Sequence, residues 1–150
     1  MYFDALDIME INGPVLDGKS WTFKESIYAP TTGPEARSRG VYATQRSRSG
    51  TTYRWTSAHG SFHAPPDARR FEISIRSIAP EPQTVTFTSE GRVLHKVTLS
   101  DQAWITINES LPAPAYPAAN WLELTVDPPW RPRGEVRILG VQTRDVIFRP

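Results

Sequence analysis

Apolar and polar residues alternate along most of this chain. In FEISIRSI, Phe71, Ile73 and Ile75 fall on one face, with Glu72, Ser74 and Arg76 on the other. Val85 and Phe87 alternate with threonines in TVTFTS. Val93, Val97 and Leu99 share a face in RVLHKVTL, as do Ile105 and Ile107 in WITIN, and Leu122, Leu124 and Val126 in WLELTV. A period of two with many β-branched residues predicts half-buried antiparallel strands, and Phe71, Ile73, Ile75, Val85, Phe87, Leu122 and Leu124 are the expected core. Shorter runs predict earlier strands near residues 20–27, 40–44, 53–56 and 61–63.

Turn chemistry separates the runs. Ser89-Glu90-Gly91-Arg92 reads as a tight hairpin turn. SDQA, LPAPAYPAAN and DPPWRPRG are longer connections in which proline stops a strand. No amphipathic helix is visible, and strands recur roughly every 8 to 15 residues. The expectation is all-β: a single antiparallel β-sandwich, jelly-roll-like, of about 8 to 10 strands. Residues 1–39 are expected to supply an N-terminal segment and the first strand or strands, and 40–150 the body, as one domain overall.

Length and composition agree with this. A chain of 150 residues with 39% apolar and 22% charged residues can bury its own core. It contains no Cys, so neither disulfides nor thiolate metal sites arise. The acidic N-terminus lacks the pattern of a signal peptide, and no apolar run reaches the ~18 residues of a membrane span. The expectation is therefore no membrane insertion and, by default, a cytoplasmic location.

Five tryptophans invite a sugar-stacking reading, because a pyranose presents apolar C–H faces to an aromatic ring. Trp55 and Trp104 read as core or core rim. Trp121 alternates with Leu122 and Leu124, which predicts an outward ring. Trp130 sits in a proline-fenced loop and reads as either a plug or a platform. Trp121, Trp130 and Tyr116 are the candidate stacking residues, with Asn120 and Glu123 as hydrogen-bonding neighbours. The same rings could instead cap the core.

The segment EVRILGV is expected to open the last strand. There Glu135 and Arg137 would share a face, and Arg54 could reach them across neighbouring strands. These three residues either brace the fold or bind a ligand.

Other chemistry finds little support. His59 and His63 lie near Asp67, but Gly60 and the strand-like SFH argue against a helical metal pair, so no metal site is assigned. His95 reads as a core histidine. No dense Asp and Asn cluster supports calcium, and no cofactor is expected. The basic stretch holding Arg37, Arg39, Arg46, Arg48 and Arg54 is rich in Ser and Gly, which favours a solvated loop over nucleic-acid or anionic-polymer binding. There is no nucleophile elbow, phosphate-binding loop or metal-binding helix motif, so no catalytic residue is assigned.

In chain order, Gly40-Val41-Tyr42, Tyr53-Arg54-Trp55-Thr56, Trp130-Arg131-Pro132 and Glu135 to Val141 resemble the β-sandwich accessory domain of bacterial glycosyltransferases and membrane mannosyltransferases. The resemblance spans about three-quarters of the chain, residues 40–150. In that family the last motif begins with Asp, where this chain has Glu135. An acid usually follows the Gly-aromatic pair, whereas residues 43–52 here read ATQRSRSGTT. The resemblance implies a noncatalytic module with a fold of the carbohydrate-binding type, working beside surface-polysaccharide chemistry. The expected partner is thus a glycan, with docking onto a partner protein as the alternative.

Overall fold

The computed structural model describes residues 38–116 and 120–150; the strand expected near 20–27 lies outside them. The described residues form ten strands: β1 (Ser38–Val41), β2 (Gln45–Arg46), β3 (Thr52–His63), β4 (Arg70–Arg76) and β5 (Gln83–Ser89) come first. They are followed by β6 (Arg92–Leu99), β7 (Ile105–Ser110), β8 (Trp121–Asp127), β9 (Gln142–Thr143) and β10 (Ile147–Arg149). Every pairing is antiparallel, and the described residues contain no helix.

The strands form two layers of a sandwich. One runs β1–β3–β8–β5–β6, the other β3–β9–β4–β7, with β10 continuing β9 along the same side of β4. Strand β3 belongs to both. Arg54 and Trp55 pair with β9, whereas His59 to His63 pair with β8. The two runs read from sequence as separate strands are therefore one, and the stretch between them is the corner where β3 changes layers.

That corner leaves no room on two sides. A Cβ on Gly40 would collide with the carbonyl oxygen of His59, and one on Gly140 with Ser57 O and Thr56 Oγ1. Backbone approach of this kind is open only to glycine. It lets Gly140 N donate to Thr56 O (2.7 Å), and Thr56 N to Val141 O (2.9 Å).

The core lies between the layers. Phe71, Ile73 and Ile75 of β4 face Val85 and Phe87 of β5 and Leu122, Leu124 and Val126 of β8, all essentially without solvent contact. The Phe71 and Phe87 rings lie 5.7 Å apart, a tilted pair that adds to area burial. The alternating pattern thus marked the inner faces of β4, β5 and β8 correctly, whereas on β6 Leu99 is buried but Val93 is 64% exposed. Among the described residues, β6 pairs only with β5 and β7 only with β4. His95 Nδ1 and Glu109 Oε2, 2.8 Å apart, link β6 to β7 across the opening. His95 is half-buried at this seam and its ring lies 6.5 Å from that of Phe87.

The last strand differs from expectation. Residues 135–138 are not strand; regular pairing resumes only at Gln142. Trp130 and Leu139 instead form an antiparallel bridge, which closes a hairpin over residues 130–139.

Candidate functional site

Burial of Leu122, Leu124 and Val126 turns Trp121, Glu123 and Thr125 to the outer face of β8. Register then decides what surrounds them. His63 lies opposite Trp121, Ser61 opposite Glu123 and His59 opposite Thr125 on β3. On the other flank, Thr88 and Thr86 of β5 lie opposite Glu123 and Thr125. The result is a sheet face carrying the hydroxyls of Thr86, Thr88 and Thr125, with Ser61 buried and one large ring at its end.

The Trp121 ring is half-buried and held by its neighbours. The Arg39 guanidinium carbon sits 4.5 Å from its centroid, and His63 meets it edge-on with centroids 5.0 Å apart. A cation over an indole face is attracted by the ring quadrupole. Beside it, Glu123 Oε1 lies 3.9 Å from His59 Nε2, and His59 Nδ1 is 3.3 Å from Thr125 Oγ1. Both His59 and Glu123 keep substantial exposure, so their polar atoms remain open to a ligand. His63 also lines a cleft of about 240 Å³ shared with Arg54, Arg144, Asp145 and Phe148.

Trp130 does not join this face. Trp121 opens β8 and Trp130 follows its far end, a separation of roughly 20 Å along a seven-residue strand. Trp130 packs at the base of its hairpin, its ring 6.1 Å from that of Trp55 and its backbone doubly bonded to Leu139. The residue is half-buried there. Tyr116 is 74% exposed in the connection before β8. Asn120, expected as a surface hydrogen-bonding neighbour, is fully buried. Its Nδ2 donates to Pro65 O (2.9 Å) and its backbone carbonyl accepts from Ala64 N (2.7 Å), so it fastens the start of β8 to the end of β3.

Glu135, Arg137 and Arg54 form a linked chain, but not by the expected cross-strand contact. Arg137 Nε and Nη2 donate to Glu135 Oε2 and Oε1 (2.9 and 3.1 Å), and Arg137 N adds a third bond to Oε2 (3.0 Å). The Arg137 guanidinium carbon sits 4.9 Å from the centroid of Tyr42, whose hydroxyl donates to Ile138 O (3.1 Å). Arg54, buried on the other side, donates to Tyr42 O (2.8 Å), Val41 O (3.1 Å) and Ser38 Oγ (2.8 Å). Tyr42 is therefore the joint between the arginines.

Burial is the largest influence on the Glu135 carboxyl and would raise its pKa. The hydrogen bonds and charge of Arg137 outweigh it, and the net value lies below the ordinary one. Burial, the largest influence again, raises the Tyr42 phenol; Arg137 partly offsets this and Glu135 adds to it.

One further cluster gave no signal in sequence. Trp104 lies between Arg144 and Arg76, whose guanidinium carbons are 4.4 and 5.0 Å from its centroid. Arg76 is aimed by two bonds to Gln142 Oε1 (3.1 and 2.7 Å). The three residues come from distant segments, so only the fold assembles them. Among the described residues, no three His, Cys, Asp or Glu side chains converge as a metal set.

No protein-family model matches this chain, and no curated protein matches it significantly. Among solved structures, the C-terminal CBM6 of LamC, a marine laminarinase from Zobellia galactanivorans, aligns with a TM-score of 0.41 at 13% identity. The alignment covers 75% of this chain and 94% of that one. The sandwich architecture rests on the strand pairings themselves.

Proposed function

We propose that this β-sandwich is a noncatalytic carbohydrate-binding module, acting beside enzymes of glycan or surface-polysaccharide assembly. The observation that carries the reading is the outer face of β8. There the Trp121 ring stands at the end of rows of hydroxyl, imidazole and carboxylate groups from β3, β8 and β5. A sugar needs both elements: an apolar face for its C–H groups and convergent polar atoms for its hydroxyls. Arg39 is exposed, so its guanidinium can leave the indole face and bond to the sugar that replaces it. Glu123 accepts from hydroxyls, and His59 supplies a nitrogen beside it.

The resemblance of Gly40-Val41-Tyr42, Tyr53 to Thr56 and Glu135 to Val141 to glycosyltransferase accessory domains supports the association with glycan assembly. In this reading Glu135, Arg137 and Arg54 are architectural: they position Tyr42 and the hairpin rather than touch sugar. A glycan array with the purified chain, followed by titration of the hits against the parent and Trp121→Ala, tests the proposal. Binding that survives loss of Trp121 in a folded variant overturns it.

A further inference from the structure

The 130–139 hairpin inverts the usual alternation. Residues 135–138 read half-buried, exposed, half-buried, exposed, and it is the charged Glu135 and Arg137 that turn inward, against Tyr42. The aliphatic side chains point out: Val136 is 85% exposed and Ile138 46%. A sheet margin normally turns its apolar positions to the core and its charges to water. Here three hydrogen bonds within the ion pair, the stack on Tyr42 and the Tyr42-to-Ile138 bond all hold the opposite arrangement.

The tip is also closed by backbone hydrogen bonds, and it is basic. Glu135 N donates to Pro132 O across the turn (2.9 Å), and two backbone bonds between Trp130 and Leu139 close the base (2.6 and 2.7 Å). Arg131 and Arg133 are exposed and make no ion pair with any described residue. Glu135 and Arg137 neutralise each other, which leaves the tip with two unbalanced positive charges.

We propose that this hairpin docks the protein peripherally on an anionic lipid surface. Val136 and Ile138 would enter the boundary between headgroups and acyl chains, while Arg131 and Arg133 take lipid phosphates. Two aliphatic residues alone would suit an apolar pocket on another protein. The two flanking guanidinium groups, exposed and without an ion pair to any described residue, complement an anionic surface around the apolar contact, and an acidic bilayer supplies both. A preformed loop gives up little conformational entropy on contact. The binding is weak and reversible, because two aliphatic side chains and two charges fall short of a permanent anchor. The inference is independent of the Trp121 face, which lies at the other end of β8.

The test is flotation of the full chain with vesicles of phosphatidylcholine alone, or of equal parts phosphatidylcholine and phosphatidylglycerol. The protein is expected to float with the acidic vesicles only, less so as salt rises. Val136→Ser with Ile138→Ser, and separately Arg131→Gln with Arg133→Gln, should each weaken binding about tenfold or more at unchanged melting temperature. The chain has no cysteine, so Val136→Cys carries a single environment-sensitive fluorophore. That probe should shift to the blue on acidic vesicles, whatever becomes of the paired variants. Absence of flotation overturns the proposal. So does flotation unaffected by the serine pair, or a probe that stays in water; either would mean charge adsorption without docking. Capture of a protein partner through Val136 and Ile138 with no vesicle binding assigns the tip to protein docking and equally overturns it.

Discussion

Arg137 lies over the ring of Tyr42, 4.9 Å from its centroid, and Glu135 holds it there through a bidentate pair. The contact joins a hairpin late in the chain to the end of β1, whose backbone Arg54 fixes from behind. Arg137→Ala is expected to lower stability by on the order of 1 kcal/mol, since the pair is only partly exposed and bidentate. Urea denaturation measures this. Glycan affinity should stay within about twofold of the parent, because the joint stands apart from the Trp121 face.

The same joint gives stability a pH dependence at both ends. With its pKa lowered on folding, Glu135 contributes fully above the ordinary carboxylate value of about 4.3, and the contribution is lost as pH falls through the folded value. Tyr42 has the opposite sign. Its contribution is complete below the ordinary phenol value of about 10 and is lost as pH rises through the raised one. Glu135→Gln should therefore flatten the acid limb of a stability–pH curve, and Tyr42→Phe the alkaline limb. Melting temperatures of the three proteins across pH would show unchanged limbs if the joint were unimportant.

Gly140→Ala should be among the most damaging small substitutions. The added methyl meets Thr56, Ser57 and Val126 where β3 turns its corner, and two of the contacts are with polar oxygens. Overpacking of this kind costs roughly 1 to 3 kcal/mol, and more where backbone must move. Chemical denaturation checks it; a variant as stable as the parent would show that the corner can relax. Phe71→Ala, which empties the centre of the core, should cost about 3 to 5 kcal/mol by the same measurement.

Period-two alternation made the inner faces of β4, β5 and β8 legible, because burial on one side of a sheet imposes a pattern on neighbouring residues. Strand β3 was read as two pieces because Ser57-Ala58-His59-Gly60 carries no apolar alternation; a corner between layers needs none. EVRILGV misled for a different reason. Its alternation is genuine, but Tyr42 captures the charged side and turns the aliphatic side outward, and a contact across some 95 residues leaves no local mark. Asn120 is expected beside Trp121 only because it precedes it in sequence, and alternation already places it off the ring's face. Its burial comes from Ala64 and Pro65, which meet it only in the folded sandwich. The clasp of Trp104 by Arg76 and Arg144 was hidden in the same way.

The β6/β7 edge rests on the contact between His95 and Glu109. Glu109→Ala should loosen that margin without unfolding the core. In hydrogen exchange, the amides of Ile105 to Asn108 should lose protection while those of β5 and β8 keep theirs. Uniform loss across the sandwich would mean that the contact supports the whole fold rather than one edge.

The central claim is tested most directly by calorimetric titration of a glycan found on the array into the parent and into Trp121→Ala. The parent should bind with a dissociation constant between about micromolar and millimolar, as a shallow surface allows. Trp121→Ala should show no measurable heat while melting within a few degrees of the parent, because the ring lies outside the core. A folded Trp121→Ala that binds as the parent does would contradict the account, as would a parent that binds no glycan at all.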